Sequence, residues 1–460
     1  MNHDTIAAIA TPIGGGIGII RISGPQAEPL ARRIFQTAGG NAADGNWNSH
    51  HLYYGRIVDC VNNQTIDEVL LAVMRAPHSY TREDVVEIQS HGGAAVLSQI
   101  LELVVRLGAR PAQPGEFTRR AFLNGRIDLS QAEAVADLIN ARSRRALEIA
   151  NSHLSGQLKR QVERWTERLQ VRLAELQAEI EFGDQLEADP DRQALCKEIE
   201  NELLAPIAAL LEDFEHGHAL RDGVRLSIAG RPNVGKSSLL NRLLGQEKAI
   251  VTAFAGTTRD PIEQACAIRG IPVTLVDTAG IRSSDDPIEC LGVGKAREAI
   301  GAADIVLFVV ESTAPMNQED RVALETARGS KLILVVNKID LVEGRPYRLP
   351  GPHEPAAAVV GVSALNGEGI AELEQVIAEQ CIATDKLSSS MLIPTVRQKV
   401  ELETASGSLQ RARDGLLHGI GEDLVVCDLS DAVQAFQRIT GEQAGPDLLD
   451  RIFSRFCIGK

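Results

Sequence analysis

The sequence predicts a multidomain protein of the α/β and α classes. Its 460 residues exceed what a single hydrophobic core usually supports. Apolar runs alternate with helical stretches between residues 224 and 380, which is typical of a doubly wound α/β sheet, and helical periodicity flanks this region. We therefore expect an α+β domain at 1–118, a helical domain in two parts at 119–217 and 381–460, and an inserted α/β domain at 218–380.

The first domain is predicted from short β-like runs separated by glycine and proline turns. The runs cover residues 17–22, 69–73 and 85–88, and one helix is expected from about 94 to 107. This mixture indicates a small α+β domain.

Helical signals begin after residue 118. Ser130 and Glu133 match a capping box, so a helix should start near Leu129. Another helix should start at Pro190 and end near residues 216–217. Apolar residues recur at spacings of three and four, which predicts a packing face, at Leu158, Val162, Trp165, Leu169, Leu173, Leu176 and Ile180.

Helical periodicity resumes at Thr395, after a linker of three serines at 388–390. Amphipathic segments follow at 424–439 and 448–456. We expect the helices before and after the α/β domain to pack on each other as one discontinuous bundle.

Composition excludes several classes of protein. A formal net charge of -15 argues against non-specific coating of nucleic acid, which relies on many lysines and arginines. The seven cysteines are scattered and form no C-x-x-C pair, which favours a reducing, cytoplasmic location without a zinc ribbon. No apolar run approaches the length needed to cross a bilayer, so no membrane association is expected.

A phosphate-binding loop lies near the middle of the chain, at Gly230-Arg-Pro-Asn-Val-Gly235-Lys236-Ser237. It follows a run of alternating apolar residues and precedes a helical segment, which is the context that this motif requires. Lys236 should reach the β and γ phosphates, and Ser237 should offer its hydroxyl to Mg²⁺. The residues expected to surround the phosphates are Asn233, Val234, Gly235, Lys236, Ser237 and Ser238.

Three further motifs follow, each at the end of an apolar strand. Asp277-Thr278-Ala279-Gly280 is placed to sense the γ phosphate. In Asn337-Lys338-Ile-Asp340, the Asp340 carboxylate can accept two hydrogen bonds from guanine, whereas adenine would leave it unpaired. Ser363-Ala364-Leu365 can supply backbone N–H groups to the guanine oxygen. Together these motifs predict a Ras-like, GTP-binding domain.

The segment 252–258 is predicted to form the first switch, in which Thr258 completes the Mg²⁺ shell. Ile281 follows Gly280 where a Ras-like enzyme has a water-orienting Gln, so hydrolysis must be organised differently. Arg282 and Glu289 are nearby polar candidates. The switch residues expected at the nucleotide are Thr252, Ala253, Phe254, Ala255, Gly256, Thr257 and Thr258.

Over nearly its whole length the chain resembles the MnmE (TrmE) family of tRNA-modification GTPases. The resemblance rests on the segments 5–12, 21–24, 79–84, 91–93, 114–118, 120–125 and 456–460. It implies a folate-binding N-terminal domain that forms a homodimer, a helical domain in two pieces and an inserted GTPase domain.

The resemblance also implies a reaction. With the flavoprotein MnmG (GidA), in a heterotetramer or larger complex, the family adds an aminomethyl or carboxymethylaminomethyl group to C5 of the wobble uridine of certain tRNAs. The one-carbon unit comes from 5-formyltetrahydrofolate or a related tetrahydrofolate derivative.

Site residues implied by the resemblance fall in both halves of the chain. K⁺ ligands match Asn233, Thr252, the Phe254 carbonyl and Thr257, and the catalytic carboxylate matches Glu289. Cys457 matches a suspected redox or nucleophilic residue, although a plain buried cysteine is an equal interpretation. The folate contacts match Arg21, Glu87, Arg126 and Lys460.

Two alternative functions fit part of the sequence. A regulatory GTPase of ribosome assembly shares the phosphate-binding loop and the Asn337 motif, but it would usually carry a basic RNA-binding module. In a purely structural interpretation, the helical bundle is the functional part and GTP only stabilises it.

Overall fold

The computed structural model describes residues 4–37, 46–182, 192–246, 263–277, 301, 303–314, 316, 320, 324, 331–342, 356–381 and 392–460. The chain forms two compact units. The first comprises Met1–Ala136, Leu158–Glu167 and Gln434–Lys460, and the second comprises Asp137–Gln157 and Arg168–Val433. The domain boundaries expected from the sequence remain a prediction.

The first unit contains a seven-stranded sheet of order β3-β4-β5-β6-β2-β1-β7. Neighbouring strands are antiparallel, except that β7 runs parallel to β1. The strands are β1 (Ile6–Ile9), β2 (Ile17–Ser23), β3 (Phe35–Thr37), β4 (His51–Val58), β5 (Thr65–Met74), β6 (Val85–His91) and β7 (Arg110–Pro111). This confirms the predicted α+β architecture.

Alternation along the strands separates two faces of this sheet. Ile20, Leu71 and Ile88 are fully buried against helices, and each such side chain contributes roughly 1.5–3 kcal/mol of hydrophobic stabilisation. Arg21 and Glu87 alternate with these residues, so they face the other side. The helices that begin in this unit are α1 (Ala27–Ile34), α2 (Ala94–Arg106), α3 (Glu116–Leu123), α4 (Leu129–Asn140) and, near the C-terminus, α13 (Pro446–Phe453).

The predicted capping box at the start of α4 is wrong by two residues. The reciprocal bonds join Asp128 and Gln131: the Gln131 N–H donates to Asp128 Oδ1 at 2.7 Å, and the Asp128 N–H donates to Gln131 Oε1 at 3.1 Å. Ser130 is buried, and its hydroxyl donates to Asp128 Oδ1 instead. Asp128 replaces Ser130 because a carboxylate is an equally good acceptor at the cap.

The remaining helices are α5 (Arg144–Leu154), α6 (Gln157–Phe182), α7 (Arg192–Glu198), a π-helical segment (Ile199–Leu204), α8 (Ala205–Asp222), α11 (Val396–His418) and α12 (Glu422–Thr440). Helix α6 carries the long apolar stripe that the sequence predicts. The stripe on α6 is buried at five of its predicted positions, but Leu173 is half-buried and Ile180 is exposed. Within the second unit α11 packs against α7, the π-helical segment and α8, which confirms the discontinuous bundle.

Helix boundaries differ from expectation at α8. It continues past residues 216–217 and ends at Asp222, where Gly223 adopts a φ of 77°. A glycine inside a helix is tolerated at modest cost, whereas a left-handed residue ends it. The expected start at Pro190 lies outside the described residues. Thr395 and Gln398 cap α11 with reciprocal bonds.

The second unit also contains a six-stranded sheet of order β13-β12-β11-β8-β10-β9. All pairs are parallel except β9 with β10. Separate apolar cores cover its two faces, as a doubly wound sheet requires. Its elements are β8 (Val224–Ala229), α9 (Lys236–Gln246), β9 (Glu263–Ile268), β10 (Ile271–Asp277), β11 (Ile305–Glu311), β12 (Lys331–Asn337), β13 (Ala358–Gly361) and α10 (Ile370–Cys381).

Across the described ranges, none of the helices is both long and apolar enough to span a membrane.

Candidate functional site

The phosphate-binding loop joins β8 to α9. Gly230 has a φ of 139°, and a Cβ there would lie 2.3 Å from the Val309 carbonyl oxygen, so only glycine fits. Lys236 is buried, and its ammonium donates to the carbonyl oxygens of Gly230 and Arg231, each at 2.7 Å. The loop therefore curls around one positive charge at a helix N-terminus, an arrangement suited to a polyphosphate.

Asn337 ties this loop to the predicted base-recognition segment. Its Nδ2 donates to the Val234 carbonyl at 2.8 Å, and its Oδ1 accepts from the Ala364 N–H at 3.0 Å. A Cβ at Gly235 would lie 2.2 Å from Asn337 Nδ2, so this contact also requires glycine. The amide at the end of β12 thus sets the spacing between two motifs that the sequence predicted separately.

A charged pair lies next to Asn337. Lys338 adopts a left-handed φ of 65°, and its ammonium is 2.9 Å from a Glu311 carboxylate oxygen. That hydrogen bond holds the pKa of the Glu311 carboxyl below its ordinary value. Arg231 of the phosphate-binding loop lies 3.4 Å from the same carboxylate. Asp340 is half-exposed in a short 3-10 turn (Ile339–Leu341).

The second nucleotide motif begins at the end of β10. Asp277 ends β10 and pairs in register with Ile228, so its backbone lies at the strand edge that carries the phosphate-binding loop. The residues 252–258, Thr278, Ala279, Gly280 and Glu289, with the side chain of Asp277, lie outside the described residues.

The C-terminal tail lies against the N-terminal sheet of the first unit in a second site. We call this site the tail cleft (Arg21, Tyr80, Glu87, Phe117, Arg126 and residues 457–460). Arg21 Nε lies 2.8 Å from Glu87 Oε1, and its Nη1 donates to the Gly459 carbonyl at 3.1 Å. Its guanidinium carbon is 5.7 Å and 5.6 Å from the ring centres of Tyr80 and Phe117, within cation–π range.

Arg126 and Lys460 complete the tail cleft. The Arg126 guanidinium carbon lies 4.8 Å from the Tyr80 ring centre, and its Nη1 donates to the Tyr80 carbonyl. The Phe117 N–H donates to the Lys460 carbonyl at 3.2 Å. Gly459 has a φ of 93°, and a Cβ there would lie 2.4 Å from the Ile9 carbonyl oxygen. The C-terminal tail therefore follows the first strand closely.

All four residues predicted to contact folate come together in the tail cleft. Sequence reasoning missed Tyr80 and Phe117 as site residues, although both belong to the segments 79–84 and 114–118 that carried the resemblance. Cys457 is exposed, so it is not the buried cysteine of the alternative interpretation. Its carbonyl accepts from the Gly115 N–H at 3.4 Å.

Two family models match the chain. The model described as GTP-binding protein TrmE N-terminus matches residues 5–126, and the model described as MnmE helical domain matches residues 129–457.

Similar proteins cover the full length of the chain. A tRNA modification GTPase MnmE of Moorella thermoacetica is 47% identical over 467 positions and is covered over 100% of both chains. The protein of that name from Syntrophobacter fumaroxidans is 45% identical, over 100% of this chain and 98% of its own. Among solved structures, the G domain of the T. maritima FeoB iron transporter is 30% identical over 34% of this chain and 98% of its own, with a TM-score of 0.26.

The similarity to the Moorella thermoacetica protein covers 100% of this chain, including the segments that carry the tail cleft and the nucleotide motifs. The chain therefore belongs to the MnmE family of tRNA modification GTPases.

Proposed function

We propose that this chain is a K⁺-activated GTPase that acts with the flavoprotein MnmG in the cytoplasm to modify tRNA. The product would be an aminomethyl or carboxymethylaminomethyl group at C5 of the wobble uridine, built from a tetrahydrofolate-derived one-carbon unit. The observation that carries the proposal is the tail cleft, because it brings together every residue expected to contact folate in a chain that also carries GTP motifs.

The chemistry of the tail cleft suits a folate. The half-buried ring of Tyr80 offers a flat surface for a pteridine, and Glu87 can accept hydrogen bonds from the amino-pyrimidine edge of that pteridine. Arg126 is exposed and Lys460 is half-exposed, so both can pair with the carboxylates of the glutamate tail. Cys457 remains a candidate for the reactive thiol, since it is exposed on the same tail.

The proposed homodimer is supported by the outer face of the N-terminal sheet. Tyr54 and Leu70 are paired in register on adjacent strands and are 56% and 39% exposed, and Leu52 beside them is 59% exposed. Apolar side chains clustered on one sheet face favour association with another protein surface. A second copy of this domain is the proposed occupant.

GTP hydrolysis is assigned to the phosphate-binding loop and its neighbours. Oxygen donors from Asn233, Thr252, Phe254 and Thr257 suit K⁺, and the hydroxyls of Ser237 and Thr258 suit Mg²⁺. Bound there, the two cations supply positive charge to the phosphates, as an arginine finger does in other GTPases. Lys236 holds the β and γ phosphates, Asp340 selects guanine, and Glu289 positions the attacking water in place of the absent Gln.

The test is complementation in a bacterium that lacks its own MnmE gene, with tRNA nucleosides measured by mass spectrometry. This chain should restore the C5 modification of the wobble uridine. Glu87→Gln should fail to restore the modification, because the amide cannot replace the carboxylate that faces Arg21. The same variant should keep GTP hydrolysis.

Glu102→Gln is the matched control, since this carboxylate is exposed on α2 in the same unit, away from the tail cleft and the proposed dimer face. It should restore the modification fully. Unmodified uridine with the unaltered chain would contradict the proposal. GTP-dependent co-sedimentation with ribosomes, without folate binding, would instead favour a role in ribosome assembly.

A further inference from the structure

We infer that Arg242 is a positioning residue for guanine recognition, acting through the loop Ser363-Ala364-Leu365. The inference rests on the proposed assignment of that loop to the guanine base. It adds a contact that none of the nucleotide motifs contains, because Arg242 lies inside α9, six residues after Lys236.

One guanidinium binds two consecutive backbone carbonyls of the loop. Arg242 Nε donates to the Ala364 oxygen at 3.1 Å, and Nη2 donates to the Leu365 oxygen. Arginine presents its N–H groups in a rigid planar fork, so two bonds from one side chain also fix the orientation of the loop. Hydrogen bonds from a charged donor are roughly twice as strong as neutral ones.

The other polar groups of the loop are largely engaged. The Ala364 N–H donates to Asn337 Oδ1, and the Ser363 N–H donates to the Glu368 carbonyl at 2.9 Å. The Asn366 N–H donates to Ser363 Oγ at 3.2 Å. Within the part of the chain that the structure describes, the Leu365 N–H has no protein acceptor. It is therefore the amide of this loop that is available to guanine O6.

Arg242 acts on that amide directly. The Ala364 carbonyl and the Leu365 N–H belong to one peptide group, and a cationic donor on the oxygen polarises the whole group. Polarisation strengthens the N–H as a donor, and the second bond to the Leu365 carbonyl restrains the next peptide. Arg242 thus supports the contact to O6 without touching the nucleotide.

The experiment compares nucleoside diphosphates that differ in the groups on the edge of the base. Dissociation constants are measured for GDP, IDP and 2-aminopurine riboside diphosphate, by competition with a fluorescent GDP. The 2-aminopurine base lacks both O6 and the N1–H that pairs with Asp340, whereas hypoxanthine in IDP keeps both groups and lacks the 2-amino group. In the unaltered protein, loss of the two contacts should weaken binding of the 2-aminopurine nucleotide by at least roughly tenfold.

Arg242→Ala should weaken the binding of GDP and IDP roughly fivefold to tenfold and leave the dissociation constant of the 2-aminopurine nucleotide unchanged. A general destabilisation of the domain would weaken the binding of all three nucleotides to the same extent. Arg242→Lys keeps one charged donor, so its dissociation constants for GDP and IDP should lie between those of the unaltered protein and those of Arg242→Ala. Should Arg242→Ala not fold, Arg242→Gln takes its place with the same expected results.

Lys331→Ala is the matched control, because Lys331 also donates to a backbone carbonyl, that of Gln380, in the same unit. It should change none of the three constants. Equal discrimination against 2-aminopurine in the protein and in Arg242→Ala would overturn the role of Arg242. If the unaltered protein binds all three nucleotides equally, it is the assignment of the loop to guanine that fails.

Discussion

The nucleotide-binding residues and the tail cleft are two sites built in different ways. The phosphate-binding loop occupies consecutive residues from the end of β8 into the first turn of α9, and Asn337 is the last residue of a parallel strand. In the tail cleft, Arg21 and Gly459 are 438 positions apart. The first site can be recognised from short patterns, whereas the second exists only where the chain ends meet.

Packing explains why the ends meet. Phe453 and Phe456 are buried in one apolar cluster with Leu129, and the ring centre of Phe453 lies 6.5 Å from that of Phe122. A buried aromatic ring contributes a few kcal/mol, which offsets part of the entropy lost on ordering the tail. The tail cleft therefore depends on an apolar contact between segments that are far apart in the sequence.

The largest expected effect tests the nucleotide site alone. Replacing K⁺ by Na⁺ should slow GTP hydrolysis roughly a hundredfold, because a smaller ion fits the proposed oxygen cage poorly. Asn233→Gly should abolish this dependence on K⁺. Glycine is the appropriate replacement, since Asn233 has a φ of 65° and glycine adopts that conformation without strain.

Steady-state hydrolysis in both salts is the measurement, with folate binding as the control that should not change. Equal rates of the unaltered protein in K⁺ and Na⁺ would contradict the cation site.

The next effect tests the tail cleft alone. Arg21→Ala should weaken binding of 5-formyltetrahydrofolate roughly thirtyfold, because Glu87 loses its charged partner and the tail loses a bond to Gly459. GTP hydrolysis by the same variant should stay near that of the unaltered protein. Isothermal titration with the folate derivative measures the affinity.

Arg106→Ala serves as the control for Arg21, since Arg106 pairs with Asp59 at 3.4 Å on an exposed surface. Such pairs contribute about 0–1 kcal/mol, so this variant should bind folate normally. If Arg21→Ala reduced hydrolysis as much as folate affinity, the two sites would not be independent.

The smallest effect concerns a distant contact within the second unit. His153 is buried, and its Nε2 lies 2.8 Å from the Ile393 carbonyl, 240 positions away. Burial, together with the nearby positive charge of Arg221, lowers the pKa of His153 to about 4. The unfolded chain, with a pKa near 6.5, binds the proton more tightly between these values. Stability is therefore full above pH 6.5 and is lost as the pH falls toward 4, by about 2 kcal/mol between pH 7 and 5.

His153→Gln should flatten this pH dependence, as measured by urea unfolding followed by circular dichroism. His418→Gln, at an exposed histidine near the end of α11, should leave the slope unchanged. An unchanged slope in His153→Gln would show that other groups dominate the acid sensitivity.

Local signals predicted the elements well but misplaced some of their boundaries. Every predicted strand that lies in the described ranges is present, because alternation and apolar runs depend on near neighbours. The cap of α4 was misplaced, because Ser130 and Asp128 both fit the pattern and only the backbone geometry selects between them. The end of α8 was misplaced because Gly217 and Gly223 look alike in sequence and differ only in φ.

Local sequence patterns identify the phosphate-binding loop, the motif Asn337-Lys338-Ile-Asp340 and the order of strands and helices. Each of these depends on residues within a few positions of one another. The contacts of Arg21 with Tyr80 and Phe117, of His153 with the Ile393 carbonyl, and of Arg242 with the Ser363–Leu365 loop become visible in the folded protein. These contacts depend on how buried apolar surfaces bring distant segments together, and no local pattern records that.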